Sequence, residues 1–86
     1  MKMYEIQWRM KAVKQLRNIP DSDGKKIREA VTKLEDPQTW GDVKRLTEHK
    51  FDYRLRVGNY RVLFNNEKTV KILTIEEVKK RDNQTY

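Results

Sequence analysis

The segment Phe51-Asp52-Tyr53-Arg54-Leu55-Arg56-Val57-Gly58-Asn59-Tyr60-Arg61-Val62-Leu63-Phe64 constrains the fold more than any other part of the chain. It consists of two alternating runs joined by Gly-Asn, a dipeptide that suits a two-residue hairpin loop because glycine, and often asparagine, accepts positive φ. With Gly58 and Asn59 as the loop, Val57 faces Tyr60, Arg56 faces Arg61, Leu55 faces Val62, Arg54 faces Leu63 and Tyr53 faces Phe64. Side chains alternate strictly along a strand, so this register also sorts the faces. Tyr53, Leu55, Val57, Tyr60, Val62 and Phe64 make an apolar surface for other elements to cover, and Arg54, Arg56 and Arg61 gather on the opposite face. Like charges directly across a sheet cost about a few tenths of a kcal/mol or more, so Arg56 opposite Arg61 breaks a local rule. A bound polyanion would remove the conflict. Pairing with Asp52, Asp42 or Glu48 on a solvated face would also do so, and charge pattern alone leaves both readings open.

The rest of the chain supplies the cover. Met3, Glu5 and Gln7 alternate with Tyr4, Ile6 and Trp8, the period of a half-buried strand. From Met10 the period becomes helical, with Val13, Leu16 and Arg17 on one stripe until Ile19-Pro20, which predicts a first helix of about ten residues. Asp21-Ser22-Asp23 offers N-cap candidates, and Ile27, Ala30, Val31 and Leu34 repeat at helical spacing until Asp36-Pro37. The other side of this second helix, with Lys25, Lys26, Arg28, Glu29, Lys33 and Glu35, reads as solvated surface. Trp40 reads as a lid on the core. Strands are expected near 43 to 47, 51 to 57, 60 to 66 and 69 to 77, followed by a frayed tail that carries Lys79, Lys80, Arg81 and Tyr86. The order β-α-α-β-β-β-β predicts one α+β domain over residues 1–86: two N-terminal helices packed on one mostly antiparallel sheet of four to five strands.

Composition then narrows the partners. Of 86 residues, 20 are basic and 13 acidic, giving a net charge of +7. Residues 1 to 43 carry 9 basic and 7 acidic groups, whereas 44 to 86 carry 11 and 6, so the excess lies in the half that holds the hairpin. That places an expected polyanion there. The absence of cysteine excludes disulfides and thiolate metal sites, and a lone histidine cannot build a His-rich one. We therefore expect no metal and no cofactor. No apolar run is long enough for a membrane helix, and the start lacks the apolar stretch of a signal peptide, so a soluble cytoplasmic protein without a membrane role is expected.

Tyr53 to Phe64, with Lys44-Arg45-Leu46 before it and Lys80-Arg81 then Tyr86 after it, resembles the RelE/ParE superfamily of toxins over nearly the whole chain, and the RelE branch in particular. That branch implies a toxin of a type II toxin-antitoxin system: a ribosome-dependent endoribonuclease that cuts mRNA in the decoding site. Its partners would be the ribosome, mRNA and a cognate antitoxin that holds it in a hetero-oligomer. The ParE branch instead implies inhibition of DNA gyrase without RNA cleavage, and a third reading is a non-catalytic RNA-binding domain. Carried over by position, the catalytic residues implied are Arg54, Arg61, Arg81 and Tyr86. The resemblance departs at Asp52, where RelE has a lysine.

Cleavage by this route requires a base for the ribose 2′-proton, cations for the developing charge and a donor to the leaving 5′-oxygen. Arginine suits the second task and is too basic for the first. Candidate bases are Glu48, His49, Lys50 and Asp52, of which His49 has the ordinary pKa nearest neutrality and Lys50 is the closest substitute for the missing lysine. Arg56, Lys79 and Lys80 are expected to contact flanking RNA phosphates.

Overall fold

A computed structural model of the chain describes residues 2–81. The elements are β1 (Glu5–Trp8), α1 (Met10–Arg17), α2 (Asp21–Thr32), β2 (Asp42–Arg45), β3 (Tyr53–Val57), β4 (Tyr60–Glu67) and β5 (Ile72–Lys80), with short 3-10 turns at Lys33–Glu35 and Pro37–Thr39. The five strands form one sheet in the order β1-β5-β4-β3-β2. All neighbours are antiparallel except β1 and β5, which run parallel. The α+β architecture with two helices on a mostly antiparallel sheet is as the patterning predicts.

The hairpin register agrees with the sequence reading at all five pairs, from Tyr53 with Phe64 to Val57 with Tyr60. Gly58 takes φ +55, and no positive φ occurs at Asn59, the pattern of a type II′ loop with glycine first. The face holding Leu55, Val62 and Phe64 is covered by α2, whose Ile27 and Val31 are fully buried together with Leu34 just after it. Trp40 closes this core as a lid. Its indole Nε1 donates to the Leu34 carbonyl at 2.8 Å, and its ring stands edge-on to Tyr53 and Phe64, both at 5.9 Å between centroids.

Helix α1 does a different job. The parallel β1–β5 pairing ends where the Arg9 N–H donates to the Ile75 carbonyl at 2.9 Å. Beyond that point the free edge of β5 is met by α1, whose Gln15 side-chain oxygen accepts the Val78 N–H at 2.7 Å. A side chain thus replaces a strand partner and blunts an edge that would otherwise template association.

Three expectations need correction. Helix α2 starts at Asp21 with Pro20 as its N-cap and no side-chain cap, so Asp21 and Asp23 act through charge in the first turn rather than as caps. Strand β5 is shifted by three residues, to 72–80, because Lys68–Lys71 make the preceding turn, with Lys71 at φ +58. Lys79 and Lys80 are consequently strand residues and not part of a frayed tail. Finally, β5 carries a bulge: Leu63 pairs with Glu77 but Phe64 pairs with Ile75, leaving Glu76 as the extra residue. The bulge lets Ile75 and Val78, three apart in sequence, both reach the core, and puts Glu76 and Glu77 together on the opposite face.

Candidate nucleic-acid interface

The uncovered sheet face is organised by two adjacent rows across the strands. One row runs Lys79, Arg61, Arg56 and Asp42 from β5 to β2, and the next runs Glu77, Leu63, Arg54 and Lys44. Strand spacing of about 4.8 Å sets neighbours within each row. Leu46, just past β2, and Arg81, just past β5, complete a groove of about 230 Å³ lined by Lys44, Leu46, Arg54, Arg56, Arg61 and Arg81. Five of the six lining residues are cations. Arg81 is brought there by the hairpin itself, because its N–H donates to the Asn59 carbonyl in the loop.

Two of the arginines are not loose surface groups. Arg61 is only 8% exposed, because β5 on one side and β3 on the other crowd its stem. Arg54 is nearly as enclosed, with its side chain 14% exposed. Its Nη2 lies 3.8 Å from an Asp42 oxygen, a long contact with a largely exposed carboxylate. Its Nη1 is buried and has no hydrogen-bond partner among the described residues. A buried guanidinium nitrogen without an acceptor costs about 1–3 kcal/mol or more, and an anion in the groove would recover it.

None of the candidate bases lines this groove. His49 and Lys50 lie in the exposed 46–52 loop, where His49 Nδ1 accepts the Phe51 N–H at 3.1 Å and Lys50 Nζ sits 5.4 Å from the Phe51 ring centre. Glu48 holds φ +52 in the same loop. Asp52 is committed elsewhere: its carboxylate accepts the Asn66 N–H at 3.1 Å while its own N–H donates to the Asn65 side chain at 2.8 Å. This reciprocal clamp extends the β3–β4 pairing beyond its last ladder residue and gives the aspartate a structural task where the resemblance implies a lysine.

Lys80 is also corrected. It is paired with Tyr60, on the helix-side face, so it points away from the arginines that Lys79 joins. Lys79 itself is engaged, with Nζ 3.2 Å from Glu77. Tyr86 lies outside the described residues. The sequence reading missed Lys44 and Leu46 as groove residues and gave Glu77 no part. Lys44 was accessible from the alternation of β2, since a residue opposite Arg54 must share its face.

Electrostatics single out Glu77. Burial alone would raise its carboxyl pKa, but hydrogen bonding and charge from Lys79, with Lys11 adding to both, outweigh it and hold the pKa below the ordinary value. On the helix side, burial and then the hydrogen bond to Asp23 raise the Tyr60 phenol above its ordinary pKa, the hydroxyl donating to Asp23 at 3.1 Å.

Two helices against a five-stranded sheet of this order, with the other face bare, define the RelE-like fold. The chain has that fold. Similar solved structures include the archaeal RelE-RelB complex from Pyrococcus horikoshii OT3, at 28% identity and TM-score 0.79 over 94% of this chain and 98% of that one. The RelBE2 toxin-antitoxin complex from Mycobacterium tuberculosis matches at 19% identity and TM-score 0.76, covering 91% and 98%. The isolated RelE toxin of E. coli matches at 15% and 0.77, covering 95% and 88%. No family model and no curated protein sequence matches the chain.

Proposed function

We propose that this protein is a RelE-type toxin that cuts mRNA on the ribosome and is held inactive by a cognate antitoxin. The observation that carries the reading is the groove of Lys44, Arg54, Arg56, Arg61 and Arg81, where the buried Nη1 of Arg54 has no hydrogen-bond partner among the described residues. Guanidinium groups match phosphate oxygens two at a time, which favours a phosphodiester over a simple anion. The toxins and toxin-antitoxin complexes among the similar structures support the same role and an antitoxin partner.

In the proposed reaction the ribose 2′-oxygen attacks the adjacent phosphorus, its proton is lost, and the bond to the 5′-oxygen breaks as that oxygen takes up a proton. The products are a 2′,3′-cyclic phosphate and a free 5′-hydroxyl. Arg54 and Arg61 hold the phosphate and stabilise the charge that grows on it, Arg81 serves the leaving oxygen, and Tyr86 stacks on the substrate base. None of the described lining residues is a base suited to neutral pH, so orientation of the RNA by the ribosome supplies much of the rate.

The test is growth after induction. Cells expressing the wild-type chain should stop growing, and cells expressing Arg61→Ala, confirmed as folded by its melting transition, should continue. Arrest by the folded variant overturns the assignment.

A further inference from the structure

The bulge in β5 puts a buried carboxylate beside the arginine groove, an arrangement that a face built only to attract RNA would avoid. Glu77 is 6% exposed and takes Lys79 at 3.2 Å and Lys11, from the first turn of α1, at 3.5 Å. Its neighbour Glu76 takes Arg9 at 3.4 Å and accepts the Asn65 side-chain N–H at 3.2 Å. The whole β5 side of the face, with its three cations, is thereby tied down by two carboxylates. On the other side, Arg54 faces only a long 3.8 Å contact with the exposed Asp42.

We propose that Glu77 is a positioning residue that confines the RNA strand to the β2–β3–β4 groove by neutralising the lysines of β5 and α1. This rests on the proposed RNA-cleaving function and deepens it by fixing which track the polyanion takes. A strand drawn onto β5 would pass Arg61 on the side away from Arg54, which lies across it on β3. Glu77 costs attraction and gains alignment. With glutamine in its place, Lys11 and Lys79 become free to contact phosphates, and a second, unproductive track opens.

The experiment measures affinity for a short fluorescein-labelled single-stranded RNA of mixed sequence by fluorescence anisotropy across a salt series. Each phosphate contact on a single strand adds about 0.7 to the slope of log affinity against log salt. Glu77→Gln should bind more tightly than wild type, with a slope steeper by about 1.4 if both lysines gain a contact. It should also cut a ribosome-bound message less efficiently. Lys11→Ala should leave the wild-type slope unchanged but remove about 0.7 from the Glu77→Gln slope. An unchanged or shallower slope for folded Glu77→Gln overturns the proposal. Should Glu77→Gln fail to fold, Lys11→Ala decides alone: a slope lowered by about 0.7 in the wild-type background would mean that Lys11 already touches RNA, and the proposal falls. The parent reading fails in a different way, through a wild-type slope that does not drop in Arg54→Ala.

Discussion

The two faces of the β3–β4 hairpin are made from alternating residues of the same strands, yet they obey different rules. On the helix side, Leu55, Val62 and Phe64 are buried in an apolar cluster, and Trp40, Tyr53 and Phe64 pack ring on ring. On the other side, Arg54 and Arg61 are nearly as crowded but carry like charges beside the exposed Arg56, and Arg54 Nη1 has no hydrogen-bond partner among the described residues. One face lowers the free energy of the folded chain. The other stores unfavourable contacts that a bound anion would relieve.

The contrast can be broken most severely from the core side. Phe64→Ala removes a fully buried ring and should cost about 3–5 kcal/mol, a large share of the roughly 5–15 kcal/mol that holds a domain this size. Urea denaturation should show the midpoint collapse. Arg54→Ala should reverse the pattern, losing about 10²-fold or more of cleavage. Its stability should stay within about 1 kcal/mol, because relief of repulsion offsets the lost packing of the stem. A variant at Arg54 that unfolds the chain while leaving cleavage intact would invert the comparison.

Smaller effects sharpen it. Trp40→Phe leaves the Leu34 carbonyl without its donor and should cost about 1–3 kcal/mol with cleavage retained. The smallest expected effect is on acid stability. Because the folded Glu77 carboxyl titrates below its unfolded value, its contribution is present above the ordinary glutamate range and is lost as pH falls through the lowered value. Glu77→Gln should therefore flatten the acid limb of the stability profile, read from urea midpoints at descending pH. At the alkaline end the sign is opposite for Tyr60: its raised pKa contributes below pH about 10 and is lost as pH rises through the higher folded value.

The hairpin was legible because its register depends on two loop residues and a period of two. The same logic failed on β5. There the spacing from Leu73 to Ile75 to Val78 changes from two to three, which signals a bulge only once Leu63 and Phe64 are known to lie opposite. The misplaced strand end put Lys80 among the RNA contacts, whereas its pairing with Tyr60 places it on the helix side. Burial of Arg61 was equally hidden, since it depends on β5 and not on the hairpin. The groove itself was half visible: four of its six residues could be named from alternation and resemblance, but the detachment of His49 and Lys50 is a matter of how the 46–52 loop closes on Phe51. Asp52 looked like a lost catalytic residue and is instead a clamp on Asn66.

The most direct measurement is primer extension on a defined message in a purified translation system, with the wild-type chain, Arg54→Ala and Arg81→Ala, each with and without ribosomes. The account predicts cuts that require ribosomes, end in a 2′,3′-cyclic phosphate and disappear in both variants. An uncut message, or cuts that persist in folded Arg54→Ala, would contradict it.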